Sequence, residues 1–169
     1  MKADSLKQAQ ATLKEGYKDN GDSALQTLIS TGRVDFGNLA CDITHPENLN
    51  PMGLHPSAGG DGTFVCAVEI MLAGLVGCAG TTMAAVAHAM KLEINSAEIT
   101  AIGAIDFRGT LAVDREAPVG LTEVKLEFVI DSSAEDDKLD KLVELSKRYC
   151  VVHRTLDGDC PNPTAWKRA

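Results

Sequence analysis

One uninterrupted stretch constrains this chain more than any other. From Ile70 to Ala87, IMLAGLVGCAGTTMAAVA, no Asp, Glu, Lys or Arg appears. That is about the 18-residue length at which a membrane-spanning helix comes under consideration. Ala73 with Gly77, and Gly80 with Ala84, also fit the small-x-x-x-small pattern of packed membrane helices. Yet the run is rich in Gly, Ala and Thr, and Glu69 precedes it while His88 and Lys91 follow. It lacks the aromatic belt and basic flank of a span. We read it as a central helix, from about Cys66 to Leu92, buried inside protein. A helix apolar on nearly every side cannot be covered by one sheet alone. A second copy is therefore expected over its remaining face, because a monomer would leave a large apolar patch wet.

The flanking segments supply the covering layer. Residues 3–16 read as an amphipathic helix with Gly16 as its stop. Ala24–Val34 and Leu39–Thr44 are strand-like, with a turn at Asp35–Asn38. His45 to Thr63 carries Pro46, Pro51 and Pro56 with Gly53, Gly59, Gly60 and Gly62, and reads as a long, functional loop. Strands follow at Glu93–Asp106 and Leu121–Asp131, joined by a mostly polar connection from Gly109 to Gly120. In the second of them Val124, Leu126, Phe128 and Ile130 alternate with Glu123, Lys125 and Glu127, which gives one buried face. Ser132 or Ser133 is the expected cap of a helix through Arg148, whose apolar stripe is Leu139, Leu142, Val143 and Leu145. Cys150–Leu156 reads as a short final strand. Adjacent strands on short turns favour antiparallel pairing, so the class is α+β: an antiparallel sheet packed on a long central helix. An N-terminal helix (1–20), one domain (21–156) and a polar tail (157–169) complete the division.

Charge narrows the function classes. Sixteen Lys and Arg against 24 Asp and Glu leave a formal charge of −8. Nucleic acids and anionic membranes demand clustered basic residues, so neither is an expected partner. The first twenty residues hold no apolar core of a secretory signal. Five cysteines, an odd number without a C-x-x-C pair, do not form the framework of a small secreted protein. A reducing cytoplasm fits them. No cofactor is implied, and His45, His55 and His88 lack paired spacing with the cysteines for zinc.

In that compartment a cysteine is either inert core or redox chemistry. Cys78 lies mid-helix beside Gly77, Ala79 and Gly80, so a substrate has room to approach its sulfur; buried packing is the plainer reading. Met71, Gly74, Leu75, Thr81, Thr82 and Ala85 share its face as a mostly apolar wall. Such a wall raises a thiol's pKa, so reactivity demands a nearby positive group. Cys150 follows a basic helix end, Lys147-Arg148-Tyr149. As a strand, the segment puts Arg154 on Cys150's side and His153 on the other. Cys66, at the start of the long helix, is a possible accessory thiol or a buried small residue.

Two longer motifs tip the balance. Gly59-Gly60-Asp61-Gly62 precedes Glu69-Ile70-Met71-Leu72-Ala73-Gly74-Leu75-Val76-Gly77-Cys78, and Cys150-Val151-Val152-His153-Arg154-Thr155-Leu156 follows an amphipathic helix. Over roughly residues 25 to 156 the chain resembles the OsmC/Ohr family of thiol-dependent hydroperoxide reductases. The resemblance implies an intertwined homodimer with two active sites at the interface. It also implies a cysteine-based peroxidase of the oxidative stress response, acting on organic hydroperoxides or hydrogen peroxide. Cys78 would be the peroxidatic and Cys150 the resolving cysteine, with an external dithiol as reductant. The family pairs a loop arginine with a glutamate to activate the thiolate. Chain order points to Arg33, and the acid is Glu69, which nine residues of regular helix at about 100° each place opposite Cys78. Val151 stands where the motif usually has proline, and Ala67 where the long helix often begins with it. These departures support an alternative within the fold, a redox sensor or binder of small apolar ligands.

Overall fold

The charge-free run forms helix α2, Ala67–Met90, in a computed structural model that describes residues 3–37, 40–45 and 52–158. No proline interrupts it. Its end is set at Lys91, which adopts the left-handed conformation at φ 56° while its N–H closes on the Ala87 and His88 carbonyls. Leu72, Leu75, Val76, Ala79, Met83 and Ala87 recur at helical spacing and are buried. Burial of each large member of this row contributes about 1.5–3 kcal/mol.

The row packs on a four-stranded sheet, in which β1 is Leu25–Asp35, β2 Ala40–His45, β5 Ser96–Asp106 and β6 Leu121–Asp131. The order is β2-β1-β5-β6 and every neighbouring pair is antiparallel, as expected, although only β1 and β2 are joined by a short turn. Ala97, Ile99, Ala101 and Ile105 of β5 turn inward and are buried. Their cross-strand partners on β6 include Ile130, Phe128, Leu126 and Leu121. These are only partly buried, because β6 is an edge. A two-stranded parallel pair, β3 (Met52–Gly53) with β4 (Val65–Cys66), leads into α2.

Helix α1, Ala3–Asp19, runs past Gly16 rather than stopping there. The mid-helix cost of a glycine is about 1 kcal/mol. The next residue, Tyr17, is buried and hydrogen-bonded to the Ser57 carbonyl at 2.6 Å, and that anchoring carries the helix onward. The connection after β5 opens with a one-turn helix, α3 (Phe107–Thr110), pinned where Arg108 grips buried Asp106 through Nε and Nη2.

Helix α4, Asp136–Tyr149, lays Leu142 and Leu139 against the core. Its cap is Glu135 and not Ser132 or Ser133. The Ser132 hydroxyl is engaged elsewhere, donating to the Glu93 carbonyl at 2.7 Å and accepting the Ala134 N–H. The larger correction follows. Cys150–Leu156 is not a strand: Cys150 caps helix α5, Val151–Asp157, which packs on α2 and α4. A β-branched run such as Val-Val-x-x-Thr favours a strand locally, but the Cys150 cap and packing on α2 and α4 override that preference. The loop from His45 is described only from Met52, and Cys160 and most of the 157–169 tail lie outside the described residues; Cys41 falls in β2.

Candidate functional site

The approach to α2 is a tight turn. His55 accepts the Ser57 N–H through Nδ1 at 3.0 Å, and Pro56–Ala58 form one 3-10 turn. Gly59 then takes φ 91°, a left-handed conformation that favours glycine. At Gly60 any Cβ would overlap the Leu54 carbonyl, so the turn closes only on glycine. From outside, Gln10 donates to the Ala58 carbonyl at 3.2 Å, beside the Tyr17 bond. The His55 ring stacks on Phe107 with centroids 5.0 Å apart. Burial holds the His55 pKa below its ordinary value, against the pull of the nearby Glu69 carboxylate.

This turn delivers the chain to Cys66, the first capping residue of α2. The Glu69 carboxylate reaches back to accept the Cys66 N–H at 3.0 Å. Three residues of helix separate them, so the acid serves its own helix start, where negative charge is favoured.

Further along α2 the two cysteines of the paired motifs meet. Cys78 is half-buried and Cys150 is fully buried, and the Cys150 thiol hydrogen-bonds the Cys78 sulfur. Burial pushes the Cys78 pKa up. The Val152 N–H, the Cys150 thiol, the Val151 N–H and the Thr82 hydroxyl all bond its sulfur and more than offset that, so its pKa falls below the ordinary thiol value. Cys150 moves the other way. Burial drives it up to about 11, helped by its donation to Cys78 and by repulsion from a charged Cys78, while the His153 N–H opposes the rise. The arrangement keeps the shared proton on Cys150 and makes Cys78 the more easily ionised of the two thiols.

The remaining candidates are placed as follows. Arg33 is exposed on β1, opposite Asp42 on β2 and Glu98 on β5. Neither Arg33 nor Glu69 is among the hydrogen-bond partners of Cys78. Because Cys150–Leu156 is helical, the alternation that put Arg154 beside Cys150 does not hold. Arg154 is exposed and paired with Asp157 at 2.8 Å. His153 turns inward instead; its Nδ1 is buried with no hydrogen-bond partner among the described residues. Burial, and next Lys147, keep its pKa low, so the ring is neutral at pH 7.

His153 lines a cavity of about 630 Å³ with Met71 and Leu75 of α2, Leu121 and Leu126 of β6, and Lys147 of α4. Met71 and Leu75 lie on the Cys78 face of α2, as the helical spacing predicts. Among the described residues no group of three or more His, Cys, Asp or Glu could hold a metal ion.

No cationic side chain is among the groups that lower the Cys78 pKa in this subunit; main-chain N–H groups are. Nothing in a side-chain pattern signals those donors. Thr82 was visible, four residues on from Cys78, but as part of the apolar wall rather than as a donor.

A family model described as OsmC-like protein matches residues 60–164. The fold is shared with the crystal structure of an OsmC-like hydroperoxide resistance protein from Jannaschia sp. CCS1, at a TM-score of 0.62 and 18% identity. That likeness covers 86% of this chain and 95% of the other. No curated protein matches the chain.

Proposed function

Because the chain belongs to the OsmC-like protein family, we propose that it is a thiol-dependent peroxidase of organic hydroperoxides, working in a reducing cytoplasm. The observation that carries this reading is the divergence of two touching thiols, one lowered and one raised in pKa. Cys78 thiolate attacks the terminal oxygen of the hydroperoxide. The O–O bond breaks, an S–O bond forms, and the alkoxide leaves as the alcohol after taking a proton, so that Cys78 becomes a sulfenic acid. The Cys150 sulfur then displaces that hydroxyl. A disulfide forms and water departs with the Cys150 proton. An external dithiol reduces the disulfide by exchange and is itself oxidised. The low pKa of Cys78 makes it the better leaving group in that exchange, which favours attack at Cys150.

A second copy of the chain belongs to the proposal. Gly74, Ala85 and Ala89 of α2 are exposed in the single subunit, and a Cβ on Gly74 would meet no atom within 4 Å. A homodimer would cover that face. Arg33 and Glu69 enter the scheme only if the second copy presents them to Cys78.

The test is turnover of an organic hydroperoxide with a dithiol. Cys78→Ser is expected to reduce the rate to background. Cys150→Ser is expected to form a Cys78 sulfenic acid stoichiometrically, trapped by a dione probe, without cycling. Wild-type rates in both variants would end the peroxidase reading. A disulfide that forms without turnover would favour a redox sensor.

A further inference from the structure

Turns are commonly closed by Ser, Asn or Asp, whose side-chain oxygen accepts an N–H two residues on. The glycine turn before α2 uses an imidazole for that task. His55 Nδ1 accepts the Ser57 N–H at 3.0 Å, while the His55 carbonyl accepts the Ala58 and Gly60 N–H groups at 2.8 and 3.1 Å. One residue thus closes the corner with both its ring and its main chain. The ring bond needs the Nδ1 lone pair, which fixes the neutral tautomer with its proton on Nε2. An imidazolium donates from both nitrogens and would set donor against donor at Ser57. One face of the ring is also covered by Phe107, a residue only 3% exposed, with the two planes 19° apart.

We propose that His55 is a proton-operated latch on the glycine turn, closed while its ring is neutral and released when Nδ1 takes a proton. This asks nothing of the two thiols and goes beyond the peroxidase reading.

The groups around the ring come from three elements and from the loop itself. From α2, the Glu69 carboxylate draws a proton towards the ring, although it is also engaged with the Cys66 N–H at 3.0 Å. From α3, Arg108 follows Phe107 and is tied to Asp106 at 2.6 Å. From α1, Tyr17 is uncharged at neutral pH and donates to the Ser57 carbonyl. In the loop, Asp61 accepts the Thr63 N–H at 3.0 Å. Burial outweighs the pull of Glu69, so the closed turn holds a His55 proton less readily than an open one. The closed form is therefore favoured above the ordinary value of 6.5 and is lost as the pH falls through the lower, folded one.

The test is an NMR titration of the reduced, full-length, nitrogen-15-labelled protein from about pH 7.5 to about pH 5, across the ordinary histidine range. The ring nitrogens of His55 are expected to report the Nε2–H tautomer at the upper end and a midpoint below 6.5. Protection of the Ser57 amide from hydrogen exchange, corrected for its intrinsic pH dependence, is expected to fall about tenfold through that midpoint, the worth of one hydrogen bond. His55→Asn supplies an acceptor that does not titrate in this range, and its Ser57 protection is expected to stay level. A midpoint at or above 6.5, Ser57 protection that ignores the titration, or the same fall in His55→Asn would each overturn the proposal. Should far-UV circular dichroism show that His55→Asn fails to fold, His55→Ser offers another acceptor that does not titrate. The same level protection is expected there, and a fall would overturn the latch.

Discussion

Two of the described helices begin on a cysteine, and they close their first turns in different ways. At α2, Glu69 stands in the third position and takes the Cys66 N–H at 3.0 Å. At α5 the third position is His153, and the first turn holds no acid. The first helix start is closed from within. The second is closed by sulfur, the Cys150 side chain accepting the His153 N–H at 3.4 Å. A helix start can hold either its own carboxylate or a foreign anion, and the residue at the third position decides which.

The largest effect expected from this contrast is on stability in alkaline solution. Burial and the neighbouring Cys78 raise the folded pKa of Cys150 from 9.0 to about 11. The folded protein therefore keeps a proton that the unfolded chain releases. The sign follows: the stabilisation is complete below pH 9 and is lost as the pH climbs from 9 towards 11. Urea unfolding at about pH 8 and about pH 10.5 should show a larger loss for the native protein than for Cys150→Ala. Equal losses would mean that the thiol is not protected as its burial implies.

The next expected effect comes from making the second helix start resemble the first. His153→Glu places an acid at the third position of α5, whose N–H bonds the Cys150 sulfur at 3.4 Å. It should raise the Cys78 pKa by about one unit and slow its alkylation at neutral pH roughly tenfold. An unchanged rate would show that the sulfur does not sense the first turn of α5.

The smallest effect is expected from the reverse change. Glu69→Gln should cost about 1 kcal/mol in urea unfolding by weakening the capping of α2. It should also leave the Cys78 pKa where it is. A shift would restore Glu69 to the part of activating acid.

How much of this could be read from the chain alone depends on where the information sits. Long periodic segments were legible: α2 from its charge-free run, and β6 from the alternation of Val124, Leu126, Phe128 and Ile130 with charged residues. The β1–β2 pairing followed from its short turn, whereas the β1–β5 pairing, across β2 and α2, did not. The Cys78–Cys150 pair was legible only through the resemblance, because nothing local links two residues so distant in sequence. α5 was misread because Val151, Val152 and Thr155 favour a strand, while what decides the matter is the Cys150 cap on the His153 N–H and packing on α2 and α4. The lowered pKa of Cys78 was hidden as well, since main-chain groups leave no trace in residue type. Gly16 was misleading because a buried tyrosine one step further holds its helix together.

That tyrosine has a practical consequence. Tyr17 and Gln10 strap α1 across the backbone of Ser57 and Ala58. The first helix is thus a splint for the glycine turn rather than a mere leader. A laboratory protease that clips between residues 20 and 24 would release this splint, and the turn's own susceptibility to digestion would then report how firmly it had been held.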